Sequence, residues 1–277
     1  MPLPTLGIIA GNGSLPLEIA KFYKQQNGDC CIAGIVGEFD AAALDLRTNL
    51  AYKSFSLGNV GAVVEYLKQH NVTDIVFAGG VKRPDLQSIK VDLVGAKLLS
   101  KILANKFIGD DKLLQVVANF FEQYGFKVIS SHDVYHTHVR YNSLIAKTSP
   151  SAQDSSDIEL AISVSHALGE LDIGQSVIVE DGYVLGIEAA EGTDQLIERC
   201  ASLRKKPTGA VLVKMPKLTQ DMRLDLPTIG LGTIELLARY KYNGIALCTK
   251  SCVILDSTKI VEIANRHDMF IFDIQDR

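Results

Sequence analysis

Hydrophobic and polar positions alternate differently in the two halves of the chain. In the first half, short apolar runs that resemble buried strands alternate with segments of helical period. The expected strands are residues 6–10, 30–36, 74–80 and 127–131. A first helix is expected after Pro16, and three more are expected at residues 60–70, 91–105 and 112–124. Strands that alternate with helices predict a parallel sheet covered on both faces. We therefore expect an α/β protein whose N-terminal domain, residues 1–147, is Rossmann-like.

The second half has a mixed pattern with hairpins. Asp181 and Gly182 form a D-G turn between two β-rich runs, which is a strong hairpin signal. Three helices are expected at residues 194–203, 234–242 and 258–267, and further strands at residues 210–214, near Ile245 and Val253, and in FIFDI. KTSPSAQDSSD, residues 147–157, is expected to be a linker that leads into a helix capped near Ser156. Residues 148–277 are therefore predicted to form a mixed α/β domain.

The segment KMPKLTQDMRLDLPTIGLGT, residues 214–233, concentrates acids, bases and glycines. Between Gln220 and Leu226 apolar or amide residues alternate with Asp221, Arg223 and Asp225, which is the period of an extended strand. Two carboxylates and a guanidinium would then project from one face. For this motif alone, a solvated edge strand is the alternative interpretation.

A second acidic motif, IEAAEGTD, precedes this segment by some thirty residues. We expect Thr193 to be the N-cap of the helix that follows it. Carboxylate oxygens are suitable ligands for a hard divalent cation such as Mg²⁺ or Mn²⁺. The candidate metal ligands are Asp221, Asp225, Glu188, Glu191 and Asp194.

Two glycine-rich motifs, GNGSLP and AGGVKRP, follow predicted strands at the sheet edge where open α/β sheets bind ligands. Backbone N–H groups there are suited to bind a phosphate. A tight turn and a basic loop are the alternatives. The candidate substrate-binding residues in these motifs are Gly11, Asn12, Gly13, Ser14, Gly79, Gly80, Lys82 and Arg83.

Composition narrows the class of protein. With 277 residues, a net charge of −4 and no tryptophan, the chain is typical of a globular α/β protein, and no general affinity for nucleic acid is expected. Five scattered cysteines indicate reduced core residues of a cytoplasmic protein, and no segment reaches membrane-spanning length. His132, His136 and His138 would share one face of a strand, and we interpret them as a polar or dimer-facing surface rather than a zinc site.

GIIAGNGSLP, GDDKLL, IEAAEGTD and VKMPKLTQDMRLDLPTIG together resemble the LpxI family of UDP-2,3-diacylglucosamine pyrophosphatases. The resemblance covers nearly the whole chain. It implies a two-domain cytoplasmic enzyme of lipid A biosynthesis that is dimeric and holds its substrate between the domains. The implied reaction uses a divalent metal to release UMP and 2,3-diacylglucosamine 1-phosphate. Two segments depart from the family pattern: Cys248 to Lys250 in GIALCTK, and SHDVYHTHV.

On this resemblance, the acids of QDMRLD belong to the catalytic centre. Asp225 and Asp221 are the expected catalytic residues. Gln220 and Thr193 are further candidates for substrate binding, as are the three basic residues that would steady phosphate oxygens, Lys214, Lys217 and Arg223. An acylated substrate also implies peripheral contact with the membrane surface.

Two other functions remain open at this point. One is an NAD-dependent oxidoreductase, for which Glu38 and Asp40 lie where a ribose-binding acid would follow the second strand. Against it, Pro16 stands in place of the third glycine of a dinucleotide fingerprint. The other is a non-catalytic module that binds nucleotide sugars, in which the acidic motifs would be structural.

Overall fold

The protein is described by a computed structural model that covers residues 3–44, 50–82, 85, 88–104, 109–135, 146–217, 220–224 and 226–274, without the side chain of residue 110. The chain divides into two compact units. The first comprises Met1–His136 and Asp221–Asp225, and the second Thr137–Gln220 and Leu226–Arg277. The predicted fold class, a Rossmann-like parallel-sheet domain and a mixed α/β domain, is confirmed.

The first unit is built on a five-stranded parallel sheet. Its strands are β1 (Leu6–Ala10), β2 (Cys30–Ile35), β3 (Ala51–Phe55), β4 (Asp74–Ala78) and β5 (Lys127–Val128). Its helices are α1 (Leu15–Gln25), α2 (Val60–Gln69), α3 (Leu93–Ala104), α4 (Asp110–Glu122) and α5 (Ser131–Val134). The strand order β3-β2-β1-β4-β5 reverses direction between β1 and β4. In open sheets such a switch point opens a crevice at the carboxyl ends of the strands.

Two elements of the first unit differ from the sequence expectation. Strand β3, AYKSF, was not expected, because it is an edge strand of mixed polarity in which only Phe55 is buried. The expected strand 127–131 ends after Val128, and Ser131–Val134 forms a short helix whose N-cap, Ser130, accepts a hydrogen bond from the His132 N–H. The prediction that the histidines share one face of a strand is therefore wrong for His132, whereas His136 and His138 lie outside the described residues.

The second unit contains helices on a mixed sheet. Its helices are α6 (Ala152–Gly169), α7 (Thr193–Ala201), α8 (Leu231–Arg239) and α9 (Ser257–Arg266). Its strands are β6 (Ser176–Glu180), β7 (Tyr183–Ile187), β8 (Val211–Lys214), β9 (Thr228–Ile229), β10 (Gly244–Leu247), β11 (Val253–Ile254) and β12 (Phe270–Asp273). The main sheet has the order β12-β10-β8-β6-β7, in which only β6 runs against its neighbours. The carboxyl ends of β7 and β8 therefore lie at the same edge.

The predicted hairpin at Asp181 and Gly182 is confirmed. Both residues have positive φ, 50° and 75°, which a type I′ turn requires. The buried carboxylate of Asp157 accepts hydrogen bonds from their two N–H groups, at 2.9 and 2.7 Å. Helix α6 thus fixes the turn of the hairpin that packs against it.

The start of helix α6 was placed wrongly from the sequence. Ser151, not Ser156, is the N-cap, and it forms a capping box with Asp154. The Ser156 hydroxyl donates instead to the carbonyl of Ala152, inside the helix. Reciprocal bonds from Ser151 and Asp154 begin the helix within the segment that composition indicated as a linker. Within the described part of the chain, no helix combines the length and the apolar character needed to span a membrane.

Candidate functional site

The two glycine-rich loops lie side by side in the first unit, at the switch point between β1 and β4. The Asn12 N–H donates to the Gly80 carbonyl at 2.7 Å, and the Gly80 N–H donates to the Asn12 carbonyl at 3.2 Å. A side chain at Gly11 would overlap the carbonyl oxygen of Gly80. A side chain at Gly79, which has φ +82°, would likewise overlap the carbonyl oxygen of Asn12. These glycines allow two backbone segments to cross in contact.

The crossing engages N–H groups that we expected to bind a phosphate. The Asn12 and Gly80 N–H groups donate across the crossing, and the Gly11 N–H donates to the Ala78 carbonyl at 2.8 Å. The expectation that the Gly11–Ser14 backbone as a whole wraps a phosphate is therefore wrong for Gly11 and Asn12. Gly13, at φ +90°, and Ser14, the N-cap of α1, keep their place at the helix N-terminus.

Glu38 and Asp40, which were candidates for binding the ribose of NAD, make local contacts instead. Glu38 accepts a hydrogen bond from the Lys82 backbone N–H at 3.2 Å, so it fixes the loop that follows β4. Asp40 caps a turn of 3₁₀ helix at the Ala42 N–H. Neither contact favours a ribose site. Arg83, the other basic candidate, lies outside the described residues.

The acidic segment that begins at Asp221 is a turn and not a strand. The Leu224 N–H donates to the Asp221 carbonyl at 3.0 Å, and the Arg223 N–H donates to Asp221 Oδ1 at 3.0 Å. The predicted strand is wrong, because the Asp221 carboxylate offers the backbone a local partner that competes with extended pairing. Asp225 lies outside the described residues.

Arg223 connects this turn to helix α4. Its Nε and Nη2 donate to the two oxygens of Asp221 at 3.0 and 2.8 Å, and its Nη1 donates to Glu122 Oε1 at 2.8 Å. We call these three residues the arginine fork. The Arg223 guanidinium holds the pKa of the Asp221 carboxyl below its usual range. Leu224, next in the chain, is buried in the core of the first unit.

A polar cluster lies at the carboxyl edge of the second unit's sheet. The Lys214 side chain, on a residue only 6% exposed, donates from Nζ to Thr193 Oγ1 at 2.6 Å. The Thr193 hydroxyl donates in turn to Glu188 Oε1 at 3.1 Å. We call Glu188, Thr193 and Lys214 the lysine cluster. Pairing of β6 with β8 places Ser176 opposite Lys214, and the Ser176 hydroxyl is 3.3 Å from Thr193 Oγ1.

One oxygen of the lysine cluster is buried without a partner. Glu188 Oε2 forms no hydrogen bond with any described residue. Leaving a buried charged acceptor unsatisfied costs about 1–3 kcal/mol or more. Such a group needs an explanation, and a donor or cation that arrives with a ligand is one. The lysine cluster therefore has the character of a binding site.

Thr193 has this role because it is not the helix cap. The N-cap of α7 is Gly192, at φ +83°, so the expectation for Thr193 as N-cap is wrong. Gly192 reaches a backbone conformation that side chains rarely adopt, and Thr193 becomes the first helical residue with its hydroxyl free to join the cluster. The start of α7 thus lies beside the Lys214 ammonium. The helix N-terminus and the ammonium both favour a bound anion.

The remaining acids of this edge have partners of their own. Asp194 accepts from the Thr233 hydroxyl at 2.9 Å, which links the first turns of α7 and α8. Glu191 accepts from Arg199 Nε at 2.9 Å and from the Ala189 N–H at 3.0 Å. Although burial raises the pKa of Glu191, these hydrogen bonds and that from its own backbone lower it overall.

Lys217 and Gln220 form a second contact region in the same unit. The Lys217 ammonium pairs with Asp172, and its backbone N–H donates to Gln220 Oε1 at 3.0 Å. Both ionic groups of the pair are largely buried. Asp172 therefore balances the charge of Lys217, which we expected from the sequence to contact a phosphate.

The described residues do not by themselves form a metal site. Among them, no group of three or more His, Cys, Asp or Glu side chains is arranged to hold a metal ion. Both oxygens of Asp221 accept from Arg223, which fits a structural role better than metal ligation. Glu188, with an oxygen that has no partner among the described residues, is the carboxylate of the lysine cluster that could bind a cation or accept from a donor. Burial raises the pKa of the Cys252 thiol to about 12, so it is no ready thiolate ligand.

Four residues of these sites were not identified from the sequence. Glu122 is 101 positions from its partner Arg223, and Asp172 is 45 positions from Lys217. No local pattern reveals contacts over such separations. Ser176 lies outside the candidate motifs, and Thr233 ends the segment 214–233 without having been assigned a role. Only the pairing of strands and helices brings these two hydroxyl residues to the edge.

Comparison with known proteins gives matches over almost the full length. The family model described as the LpxI N-terminal domain matches residues 5–138, and that described as the LpxI C-terminal domain matches residues 141–272. The chain is also similar to the UDP-2,3-diacylglucosamine pyrophosphatase LpxI of Caulobacter vibrioides. The two are 32% identical over 275 residues, which cover 97% of each chain.

Proposed function

The chain belongs to the LpxI family, and from this premise we propose that it is a hydrolase that cleaves the pyrophosphate bond of UDP-2,3-diacylglucosamine. The products would be UMP and 2,3-diacylglucosamine 1-phosphate. The observation that carries the proposal is the match along 97% of the chain to a relative of that name. An NAD-dependent oxidoreductase is not favoured, because the acids it would need hold local backbone contacts.

The lysine cluster is the proposed anchor for the phosphate groups in the second unit. Its ammonium group is buried, and a buried charge interacts more strongly with an anion than an exposed one does. Thr193 is also the first residue of α7, and a helix N-terminus favours an anion. A bound ligand that supplies a donor or cation to Glu188 Oε2 would also remove the cost of that unpartnered atom.

Asp225 is the proposed catalytic carboxylate. Pyrophosphate cleavage requires an oriented water, a group that accepts its proton and stabilisation of the departing phosphate. We assign proton acceptance to Asp225. Asp221 holds Arg223 in a defined orientation, and the switch-point loops, with Gly13, Ser14 and Lys82, would bind the nucleotide or the sugar phosphate.

A divalent cation, Mg²⁺ or Mn²⁺, is proposed as cofactor. Bound at carboxylate oxygens, it would offset the negative charge that develops on the phosphates. Glu188 supports this proposal, because its second oxygen is unpartnered among the described residues. Activity should disappear in excess chelator and return with the metal. Full turnover by protein that elemental analysis shows to be free of metal would contradict the proposal.

We further propose a cytoplasmic homodimer that contacts the membrane surface without crossing it. An acylated substrate supports the surface contact, as does Leu93, which is 87% exposed on α3, one turn before the exposed Lys97. Sedimentation with anionic vesicles should retain the protein at low salt and release it at high salt. Release only by detergent would contradict a peripheral contact. Light scattering of the purified protein tests the dimer.

The test of the activity is release of UMP from UDP-2,3-diacylglucosamine, followed by chromatography. Wild-type protein should release UMP, and Asp225→Ala should lower turnover by at least about a hundredfold while substrate binding persists. A thermal melt of each variant separates lost chemistry from unfolding. Substrate binding without any release of UMP by the wild type would instead indicate a non-catalytic nucleotide-sugar module.

A further inference from the structure

Glu122 makes a contact that neither its sequence context nor the proposed chemistry requires. It is the last residue of helix α4, whose residues Ala118, Phe120 and Phe121 are buried in the core of the first unit. Its carboxylate accepts from Arg223 Nη1 at 2.8 Å, across 101 positions of sequence. A residue on a packed helix therefore holds a residue on an irregular turn.

Among the contacts of the described residues, the turn has few other restraints. Within Asp221–Leu224 one backbone hydrogen bond, from the Leu224 N–H to the Asp221 carbonyl, closes the turn, and the Asp221 carboxylate supports it from within. These bonds define the shape of the turn but not its attachment. Attachment comes from the buried Leu224 side chain and from the arginine fork.

The geometry of the fork makes the attachment directional. Arg223 uses Nε and Nη2 on Asp221 and Nη1 on Glu122, so a single planar guanidinium is held by two carboxylates. A planar group with acceptors on two sides has little freedom to rotate. Leu224 alone would restrain position without restraining rotation.

We propose that Glu122 is a positioning residue: through Arg223 it fixes the turn Asp221–Leu224, which immediately precedes Asp225 in the sequence. This inference rests on the proposed role of Asp225. A displacement of about 1 Å at a catalytic group can lower turnover by roughly a hundredfold. The fork contributes little to stability, because Arg223 and Glu122 side chains are 41% and 35% exposed. Loss of Glu122 should therefore affect turnover much more than folding.

The kinetic test compares three variants. Glu122→Ala should lower kcat at least about tenfold, with KM within about twofold and an unchanged melting temperature. Glu122→Gln keeps the acceptor Oε1 and should recover most of the lost kcat. Asp29→Ala removes a different exposed ion pair of the same unit, with Lys24, and should behave as wild type. Wild-type kcat in Glu122→Ala would overturn the inference.

A second readout follows the turn directly. The chain has no tryptophan, and Met222 is partly exposed within the turn, so Met222→Trp places a single fluorophore there. Adding Glu122→Ala should lower the fluorescence anisotropy, and Glu122→Gln should restore most of it. Hydrogen exchange at residues 221–224, without the tryptophan, should accelerate in Glu122→Ala. A fall in kcat with unchanged hydrogen exchange would also overturn the inference, because Glu122 would then act by another route.

Failure of the inference and failure of the proposed function are distinguishable. If wild-type protein releases no UMP, the activity proposal fails, while exchange and anisotropy still decide whether Glu122 fixes the turn. If wild-type protein releases UMP and Glu122→Ala matches it in kcat and in exchange, only the positioning role fails.

Discussion

The arginine fork and the lysine cluster combine acids and bases in opposite ways. In the fork, two carboxylates accept three hydrogen bonds from one guanidinium at a partly exposed position. In the lysine cluster, a buried ammonium and a carboxylate share one hydroxyl, and one carboxylate oxygen has no partner in the part of the chain that the structure describes. The difference indicates that the fork completes its own structure, whereas the cluster is completed by something that binds.

The same contrast predicts where substitution costs activity and where it costs stability. Charges at an exposed ion pair are screened by water, so the net gain from pairing is small. Inside a protein the effective dielectric constant is lower, so a buried charged group interacts more strongly with a bound anion. Changes in the lysine cluster should therefore have larger effects on turnover than changes in the arginine fork.

Lys214→Met should produce the largest effect. It removes the buried ammonium but keeps much of the side-chain volume, so the fold should persist while turnover falls by at least about a hundredfold. Steady-state kinetics and a thermal melt measure the two quantities. Lys206→Met is the matched control, since Lys206 forms an exposed ion pair with Asp181 in the same unit. Equal activity in the two variants would remove the distinction between the cluster and an ordinary surface pair.

Thr193→Val should have the next largest effect. Valine has nearly the shape of threonine but cannot accept from Lys214 or donate to Glu188, which leaves both polar groups without this partner. We expect turnover to fall about tenfold and the free energy of unfolding to fall by about 1–3 kcal/mol. Thr193→Ser keeps the hydroxyl and should retain most of both. If valine and serine variants match each other, the hydroxyl does not link the cluster.

Much of the fold follows from sequence because it depends on local signals. Apolar runs indicated four of the five strands of the parallel sheet, and the D-G pair at Asp181 indicated the hairpin. Strand β3 was missed because its edge position leaves polar residues in the pattern. The alternation around Arg223 gave the wrong element, since a carboxylate that bonds its own backbone overrides a period of two.

The candidate sites were predicted by residue type better than by arrangement. Glu188, Thr193 and Lys214 were each candidates from sequence, yet their hydrogen-bonded chain depends on the register of β6 against β8 and on the start of α7. Glu122 could not be predicted, because only tertiary folding brings α4 to Arg223. Contacts between distant segments need the fold before they can be assigned.

Asp221→Asn tests the fork through its dependence on pH. Since Arg223 lowers the pKa of Asp221, the folded state favours the ionised carboxyl. The wild type should therefore exceed the variant by about 1 kcal/mol at neutral pH, a modest value because the guanidinium is partly exposed. This advantage should shrink as the pH falls below about 4, where the carboxyl of the unfolded chain begins to protonate, and it should disappear once the pH falls below the lowered pKa of the folded state. Urea unfolding from pH 7 to pH 3 measures it, and a difference independent of pH would exclude an ionised Asp221 as its source.

Asp40→Ala should have the smallest effect, because it changes an acid that belongs to neither network. Asp40 is exposed and caps only the 3₁₀ turn at the Ala42 N–H, so the free energy of unfolding should change by no more than about 1 kcal/mol. Turnover with UDP-2,3-diacylglucosamine should stay within about twofold of wild type, since the described contact of Asp40 is a cap on the Ala42 N–H and not a phosphate-binding group. The measurement pairs steady-state kinetics with a titration of NADH, the fluorescent reduced form of the cofactor, followed by its fluorescence change. A loss of turnover in step with a loss of NAD binding would show that the acids after β2 hold a dinucleotide, and the switch-point loops would then belong to a different chemistry.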